Sequence, residues 1–136
     1  MKQVTVAEAR YAALRLKDLL DYDEPMDFDV RTPGRLESCL DQPFTHFNGR
    51  YVYWTLAHRA AVLFYLVIKN HPFANGNKRM ALVLSQLLAQ KNGRWLDMHP
   101  DELYDLACDV ANSDRKNKEA VVASLKDTFK RHLVDL

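Results

Sequence analysis

The sequence has few cysteines, no long apolar run and no excess of charge of one sign. Its two cysteines, Cys39 and Cys108, form no CxxC pair, so neither a zinc site nor a disulfide framework is indicated. Both stand among apolar residues and are expected to be small core side chains. The longest apolar run, AAVLFYLVI, has nine residues, about half of what a membrane-spanning helix needs.

The first residues and the net charge also indicate the compartment and exclude some partners. The first residues, MKQVTVAEAR, lack the apolar core of a secretory signal, so we expect a cytoplasmic protein. The net charge is +1, with Lys and Arg spread along the chain, which argues against nucleic-acid binding through a broad basic face. We therefore expect neither a direct nucleic-acid partner nor a membrane partner.

Helical periodicity is what the sequence does contain, in a chain of globular composition that is 48% apolar and 27% charged. Its 136 residues fit one domain, 1–136. Helices are predicted in TVAEARYAALRLKDLLDY, LESCLDQ, WTLAHRAAVLFYLVIKN, KRMALVLSQLLAQKNG, HPDELYDLACDVANS and NKEAVVASLKDTFKRHLVDL. PFTHFNGRYVY is predicted to be a loop with an Asn-Gly turn. The expected fold is an all-α bundle, with at most one short hairpin, in residues 25–35.

The segment HPFANGNKR separates the two most apolar predicted helices. Gly76 would let the backbone approach a ligand closely, and Asn77 could hydrogen-bond both backbone and ligand. Lys78 and Arg79 stand in the first helical turn, where the helix dipole disfavours cations unless an anion lies between. His71, six residues before Asn77, could then take a proton from a hydroxyl that attacks a phosphate.

Each part of this segment also has an ordinary interpretation. A single His-Pro pair can cap the preceding helix, a Lys-Arg pair is usually a solvated helix start, and Asn-Gly is usually a turn. Their conjunction at fixed spacing favours phosphate chemistry instead. The segment is not a P-loop, because GxxxxGK[ST] is absent.

The segment closely resembles the signature HPFx[D/E]GN[G/K]R of the Fic/Doc superfamily. Its lysine before the arginine, together with PGRLESCLDQP, AAVLFYLVIKNHPF and the C-terminal YDLACDVANSDRKNKEAVVASLK, resembles the death-on-curing (Doc) type. The resemblance spans roughly residues 4–133. It implies a compact Fic-type helical bundle.

The resemblance also implies roles for the signature residues. His71 would be the general base and Phe73 a structural anchor. The phosphate-binding residues would be Gly76, Asn77, Lys78 and Arg79, and position 75 would help to hold Mg²⁺. Doc-type proteins with this lysine transfer the γ-phosphate of ATP to a threonine of elongation factor Tu, which halts translation. The implied activity is thus that of a toxin kinase with ATP and Mg²⁺ as cofactors.

Two positions depart from the family pattern. Asn75 stands where most members have an acid, and its neutral amide should bind Mg²⁺ more weakly than a carboxylate. Met80 stands where Doc-type proteins usually have threonine, and we attach no functional meaning to it. Two alternatives to the kinase therefore remain open: transfer of AMP to a protein hydroxyl, and a binding protein weakened in catalysis by Asn75.

The resemblance implies two further contacts. No segment fits the [S/T]xxxE[G/N] pattern of self-inhibited relatives, so a cognate antitoxin is expected to inhibit in trans by folding an amphipathic helix onto the protein. The loop DFDVRTPGR corresponds to the flap that pairs with an extended target segment. Arg31 and Arg35 are the flap residues expected to contact phosphates or substrate, although exposed loop arginines more often contact neither.

Overall fold

The computed structural model describes residues 1–19 and 34–136, with residues 16–19 described by their backbone alone. Its described part contains six α-helices and confirms the predicted all-α class. They are α1 (Val6–Leu19), α2 (Arg35–Asp41), α3 (Leu56–Asn70), α4 (Asn77–Lys91), α5 (Pro100–Asn112) and α6 (Lys118–His132). None of the described helices is long and apolar enough to cross a membrane.

Helix α3 forms the centre of the bundle because its sequence is apolar around nearly the whole circumference. It packs chiefly against α4 and α6. The rings of Phe64 in α3 and Phe129 in α6 meet edge to face with their centroids 5.4 Å apart. Since α3 is held on several sides, its C-terminal end at Asn70 is fixed in the bundle.

Local sequence signals account for where several helices begin and end. Glu8 N–H donates to Thr5 Oγ1 at 3.1 Å and Thr5 N–H donates to Glu8 Oε1 at 3.0 Å, which confirms the capping box predicted for α1. Helix α5 begins at Pro100, whose missing N–H would have had no helical partner. Helix α4 ends before Gly93, whose φ of 74° leaves the helical region.

Four very short strands interrupt the helices. Strands β1 (His46–Phe47) and β2 (Arg50–Tyr51) form a hairpin whose turn residues, Asn48 and Gly49, have φ values of 51° and 75°. Positive φ at both positions is the type I′ turn that Asn-Gly favours. The Asn-Gly signal thus predicted this turn, but the pairing of β1 with β2 on either side of it was not predicted. The hairpin expected within residues 25–35 lies largely outside the described residues.

A second strand pair corrects the prediction for the chain end. Strand β3 (Arg94–Leu96) pairs antiparallel with β4 (Leu133–Asp135). The prediction that the last helix runs to the C-terminus is therefore wrong: α6 ends at His132. The backbone of the last residues instead finds its hydrogen-bond partners across β3, a long-range contact that helical periodicity does not report.

The packing of α6 on α3 can be tested at Phe129, which is fully buried. We expect Phe129→Ala to lower the free energy of unfolding by about 3–5 kcal/mol, because it leaves a cavity beside Phe64. Phe47, 72% exposed on the hairpin, provides the matched control, and Phe47→Ala should change stability by less than about 0.5 kcal/mol. Urea denaturation measures both; equal losses would contradict this account of the core.

Candidate active site

The loop between α3 and α4, residues 71–76, reverses the chain at the edge of the core. His71 ends α3 with φ 49° and Gly76 precedes α4 with φ 72°, so both ends of the loop are left-handed. Glycine adopts this conformation freely, whereas a histidine does so only when its surroundings hold it. The two left-handed residues bring the end of α3 and the beginning of α4 to the same place.

Asn77 holds this loop in shape. Its side chain is 6% exposed; its Oδ1 accepts from Phe73 N–H at 3.0 Å and its Nδ2 donates to Phe73 carbonyl oxygen at 3.0 Å. A side-chain amide thus pairs with both polar groups of one backbone residue. The sequence interpretation gave Asn77 a bond to the ligand, but these two bonds leave chiefly its backbone N–H for an anion.

The same amide faces the imidazole of His71. The Asn77 Nδ2 atom lies 3.3 Å from His71 Nδ1. The two bonds to Phe73 fix which end of the amide is nitrogen, so Nδ2 presents N–H to the ring and Nδ1 is the accepting atom. In this arrangement Nδ1 carries no proton, and Nε2 is the ring nitrogen that can carry one. At 3.3 Å this bond is long, and the residue is exposed.

The remaining signature residues are divided between the core and the surface. Phe73 is 1% exposed and lies in the main apolar cluster, in the position expected of a structural anchor. Asn75 is exposed, whereas Lys78 and Arg79 are half-buried in the first turn of α4. No acidic residue occupies that turn, and no side chain caps it. The first backbone N–H groups of α4 thus have no side-chain cap among the described residues and stand beside two cations, an arrangement that suits an anion.

A magnesium ion would find few protein ligands here. No group of three or more His, Cys, Asp or Glu side chains suited to a metal occurs within residues 1–19 and 34–136. Mg²⁺ bound with a nucleotide takes its ligands from phosphates, water and one or two side-chain oxygens. Asn75 supplies one neutral amide oxygen in the exposed loop, so the site fits magnesium as part of a magnesium–nucleotide complex.

Cysteine chemistry is disfavoured in the core. Cys39 is fully buried, and burial raises the pKa of its thiol to about 11. A thiol with such a pKa stays protonated and is a poor nucleophile near neutral pH. Cys108 is half-buried. Cys39 thus confirms the expectation of a small core side chain.

Sequence reasoning missed two residues beside His71. A pocket next to this histidine is lined by Arg35, Ser38, Lys69, Asn70, His71 and Arg115. Of the two proposed flap arginines, Arg35 reaches this pocket, while Arg31 lies outside the described residues. Lys69 and Arg115 carried no signal in the sequence, because an isolated cation at a helix end usually caps the helix.

The segment HPFANGNKR thus forms the loop between α3 and α4 and the first turn of α4. The Fic/DOC family model matches residues 8–89, and the chain belongs to that family. It is accordingly a Fic-type transferase that acts on proteins, and members of the family generally use ATP with Mg²⁺. No curated protein matches the chain.

The clamp formed by Asn77 can be tested with an isosteric change. Asn77→Asp keeps the acceptor for Phe73 N–H but turns the donor into an oxygen that faces a carbonyl oxygen. We expect the free energy of unfolding to fall by about 1–3 kcal/mol, the cost of an unsatisfied buried polar group. Asn117→Asp, at the exposed start of α6, should change it by less than about 0.5 kcal/mol. Denaturant titrations that give both variants equal stability would refute the clamp.

Proposed function

We propose that this protein is a Doc-type toxin, a cytoplasmic protein kinase that transfers the γ-phosphate of ATP to a Ser or Thr hydroxyl of a translation factor. Elongation factor Tu is the target expected from the resemblance, and its modification would halt translation. The observation that carries this proposal is the first turn of α4. Lys78 and Arg79 stand there against the helix dipole, and no acidic residue belongs to that turn, which favours a bound polyphosphate.

In the proposed reaction, each residue of the loop has its own role. The backbone N–H groups at the start of α4, with Lys78 and Arg79, hold the phosphates and neutralise their charge. The ring of His71 turns away from Asn77, and its Nδ1, which carries no proton in the proposed reactant state, accepts the proton of the acceptor hydroxyl. The hydroxyl oxygen forms a bond to the γ-phosphorus while the bond to the β–γ bridging oxygen breaks, which releases ADP.

Magnesium, when bound with ATP, would neutralise charge between phosphate groups. Asn75 would offer it one amide oxygen, and a neutral ligand attracts the ion less than a carboxylate does. The phosphates themselves would then provide most of the attachment. The proposed kinase should therefore need more Mg²⁺ than relatives with an acid at this position.

A second candidate function keeps the site and changes the phosphate attacked. If the nucleotide lies in the opposite direction, the hydroxyl attacks the α-phosphate, and AMP is transferred while pyrophosphate leaves. The lysine at position 78 favours the kinase, because a long cation in place of a flexible glycine changes where the phosphates can lie. A binding protein without activity, weakened at Asn75, is the third possibility.

An antitoxin is the proposed regulatory partner, and the apolar face of α4 is its proposed docking surface. One groove of about 520 Å³ between α4 and α5 includes Arg79, Leu82 and Trp95. Another of about 560 Å³ between α1 and α4 includes Tyr11 and Leu87. Val83 lines both grooves. An amphipathic helix laid across this face would reach Arg79 and so cover the proposed phosphate site.

The phosphate that is transferred can be identified with two labels. The purified protein is incubated with bacterial lysate and Mg²⁺, with γ-labelled ATP in one reaction and α-labelled ATP in the other. We expect a labelled protein of the size of elongation factor Tu in the γ reaction alone. Label from the α position would replace the kinase with AMP transfer. If neither reaction labels a protein, even at high Mg²⁺ and Mn²⁺, the remaining interpretation is a binding protein without activity.

His71→Ala is the matched control for that experiment. Because His71 is exposed, its removal should leave the fold intact, which circular dichroism can check. The rate of transfer should fall by about 10²–10⁴-fold, the usual contribution of a general base. A His71→Ala protein that labels its target at the wild-type rate would show that the base lies elsewhere.

The role of Asn75 can be tested by restoring the acid of the family pattern. We expect Asn75→Asp to reduce several-fold the Mg²⁺ concentration that gives half-maximal transfer, because a carboxylate is a charged oxygen ligand. Ala74→Asp places the same charge on the neighbouring exposed residue and should not reproduce the effect. Equal Mg²⁺ titrations for Asn75→Asp and the wild type would remove position 75 from the metal site.

A further inference from the structure

A pocket of about 320 Å³ opens beside His71, away from the first turn of α4. Its walls come from α2, from the end of α3 and from a short 3-10 helix, Arg115–Asn117, that precedes α6. Three of its lining residues are cations, namely Arg35, Lys69 and Arg115, and none of the described residues that line it is a carboxylate. The pocket is therefore cationic and shares His71 with the proposed active site.

Backbone carbonyl groups, rather than acids, hold the three cations in place. Lys69, 8% exposed, donates to the carbonyl oxygens of Ala111, at 3.2 Å, and of Ser113. Arg115 donates to the carbonyl oxygen of Lys69, and Arg35 Nη1 donates to that of Asn70 at 3.3 Å. Each positive charge is thus positioned at the end of α3 or α5, and no salt bridge within residues 1–19 and 34–136 neutralises it.

Capping of helix ends explains the location of these cations but not their number. A helix C-terminus carries about half a negative charge, so the ends of α3 and α5 together supply about one. Three full positive charges meet in this pocket. Asp114, close in sequence, bonds to the backbone N–H of Lys116 and lies 3.8 Å from its ammonium nitrogen. Among the described residues, positive charge is therefore in surplus at this pocket.

Arg35 and Arg115 also keep donors available for a ligand. A guanidinium has five N–H groups. Arg35 uses one of them among the described residues, and Arg115 uses one on a carbonyl and one on Asn70 Oδ1, 3.4 Å away. A carboxylate accepts such donors in pairs, and charge-assisted bonds of this kind are among the strongest in proteins. The pocket accordingly has the geometry and the charge to bind an acid.

We infer that this pocket binds an acidic side chain of the acceptor protein, close in sequence to the hydroxyl that is modified. The inference rests on the proposed function. In phosphoryl transfer the attacking and leaving oxygens lie roughly in line. With the phosphates on the first turn of α4, the acceptor reaches His71 from another side. His71 also lines the cationic pocket, so the pocket lies next to the acceptor. An acidic residue there would fix the acceptor chain and set its specificity.

The inference can be tested by peptide binding without ATP. The probe is a fluorescein-labelled pentapeptide with a central threonine flanked by glutamates, and its reference has glutamines instead. Fluorescence anisotropy at low salt gives both affinities for the wild type and for Arg35→Gln, Arg115→Gln and Arg10→Gln. Arg10 is exposed on α1 and lines none of this pocket, so it controls for the loss of one charge. Circular dichroism checks folding.

The wild type should bind the glutamate peptide at least about tenfold more tightly than the glutamine peptide. Arg35→Gln and Arg115→Gln should each weaken glutamate-peptide binding by about three- to tenfold, whereas Arg10→Gln changes it by less than twofold. If Arg115→Gln does not fold, the affinity of Arg35→Gln, which is changed at an exposed position, still tests the inference. A wild type without preference for glutamate, or an Arg10→Gln loss as large as the others, would overturn the inference.

Two further measurements separate the pocket from the nucleotide site and from the proposed function. ATP affinity, measured by calorimetry with Mg²⁺, should be unchanged in Arg35→Gln and Arg115→Gln. A loss of ATP affinity equal to the loss of peptide affinity would assign the pocket to the nucleotide and overturn the inference. If the wild type prefers the glutamate peptide but transfers no label from ATP, the acidic-residue site stands and the kinase proposal fails.

Discussion

The clamp between Asn77 and Phe73 is the interaction on which the site depends. One side-chain amide satisfies both polar groups of a buried backbone residue, and it joins the first residue of α4 to the loop that follows α3. Phe73 in turn fixes the loop to the core. His71 therefore stands at a set distance from the start of α4. Because the clamp fixes the backbone at both places, only the ring of His71 has to reorient when a substrate binds.

The cations around this loop are of two kinds. Lys69, Arg35 and Arg115 place their charged groups at helix C-termini, where the helix dipole stabilises them and where carbonyl groups accept their N–H donors. Arg35 does so although it is itself the first residue of α2. Lys78 and Arg79 stand at a helix N-terminus, where the dipole opposes them. The first group is held by carbonyl groups without a ligand, and the inferred acid site would use its charge. The second gains most from a bound anion, as a phosphate site requires.

Periodicity and local motifs were enough to predict the helices, because each helix is either apolar on one face or closed by short-range signals such as Thr5 and Glu8. They were not enough for the strand pair between Trp95 and Val134, which joins segments far apart in the chain. The site shows the same division. His71 and Lys78 were proposed because they lie within one motif, whereas Arg115 reaches the pocket through the packing of α5 and α6 on α3.

Asn75 and Lys78 act in the same direction on the charge of the loop. Relative to a family pattern with an acid and a glycine at these positions, one negative charge is absent and one positive charge is present. In the proposed reaction, this charge of the protein itself would offset part of the charge of the phosphates. A lysine ammonium, however, is a single point charge on a flexible stem and does not fix the orientation of what it binds. Orientation of the phosphates would therefore fall on the backbone N–H groups of α4, whose first residue the Asn77 clamp holds in place.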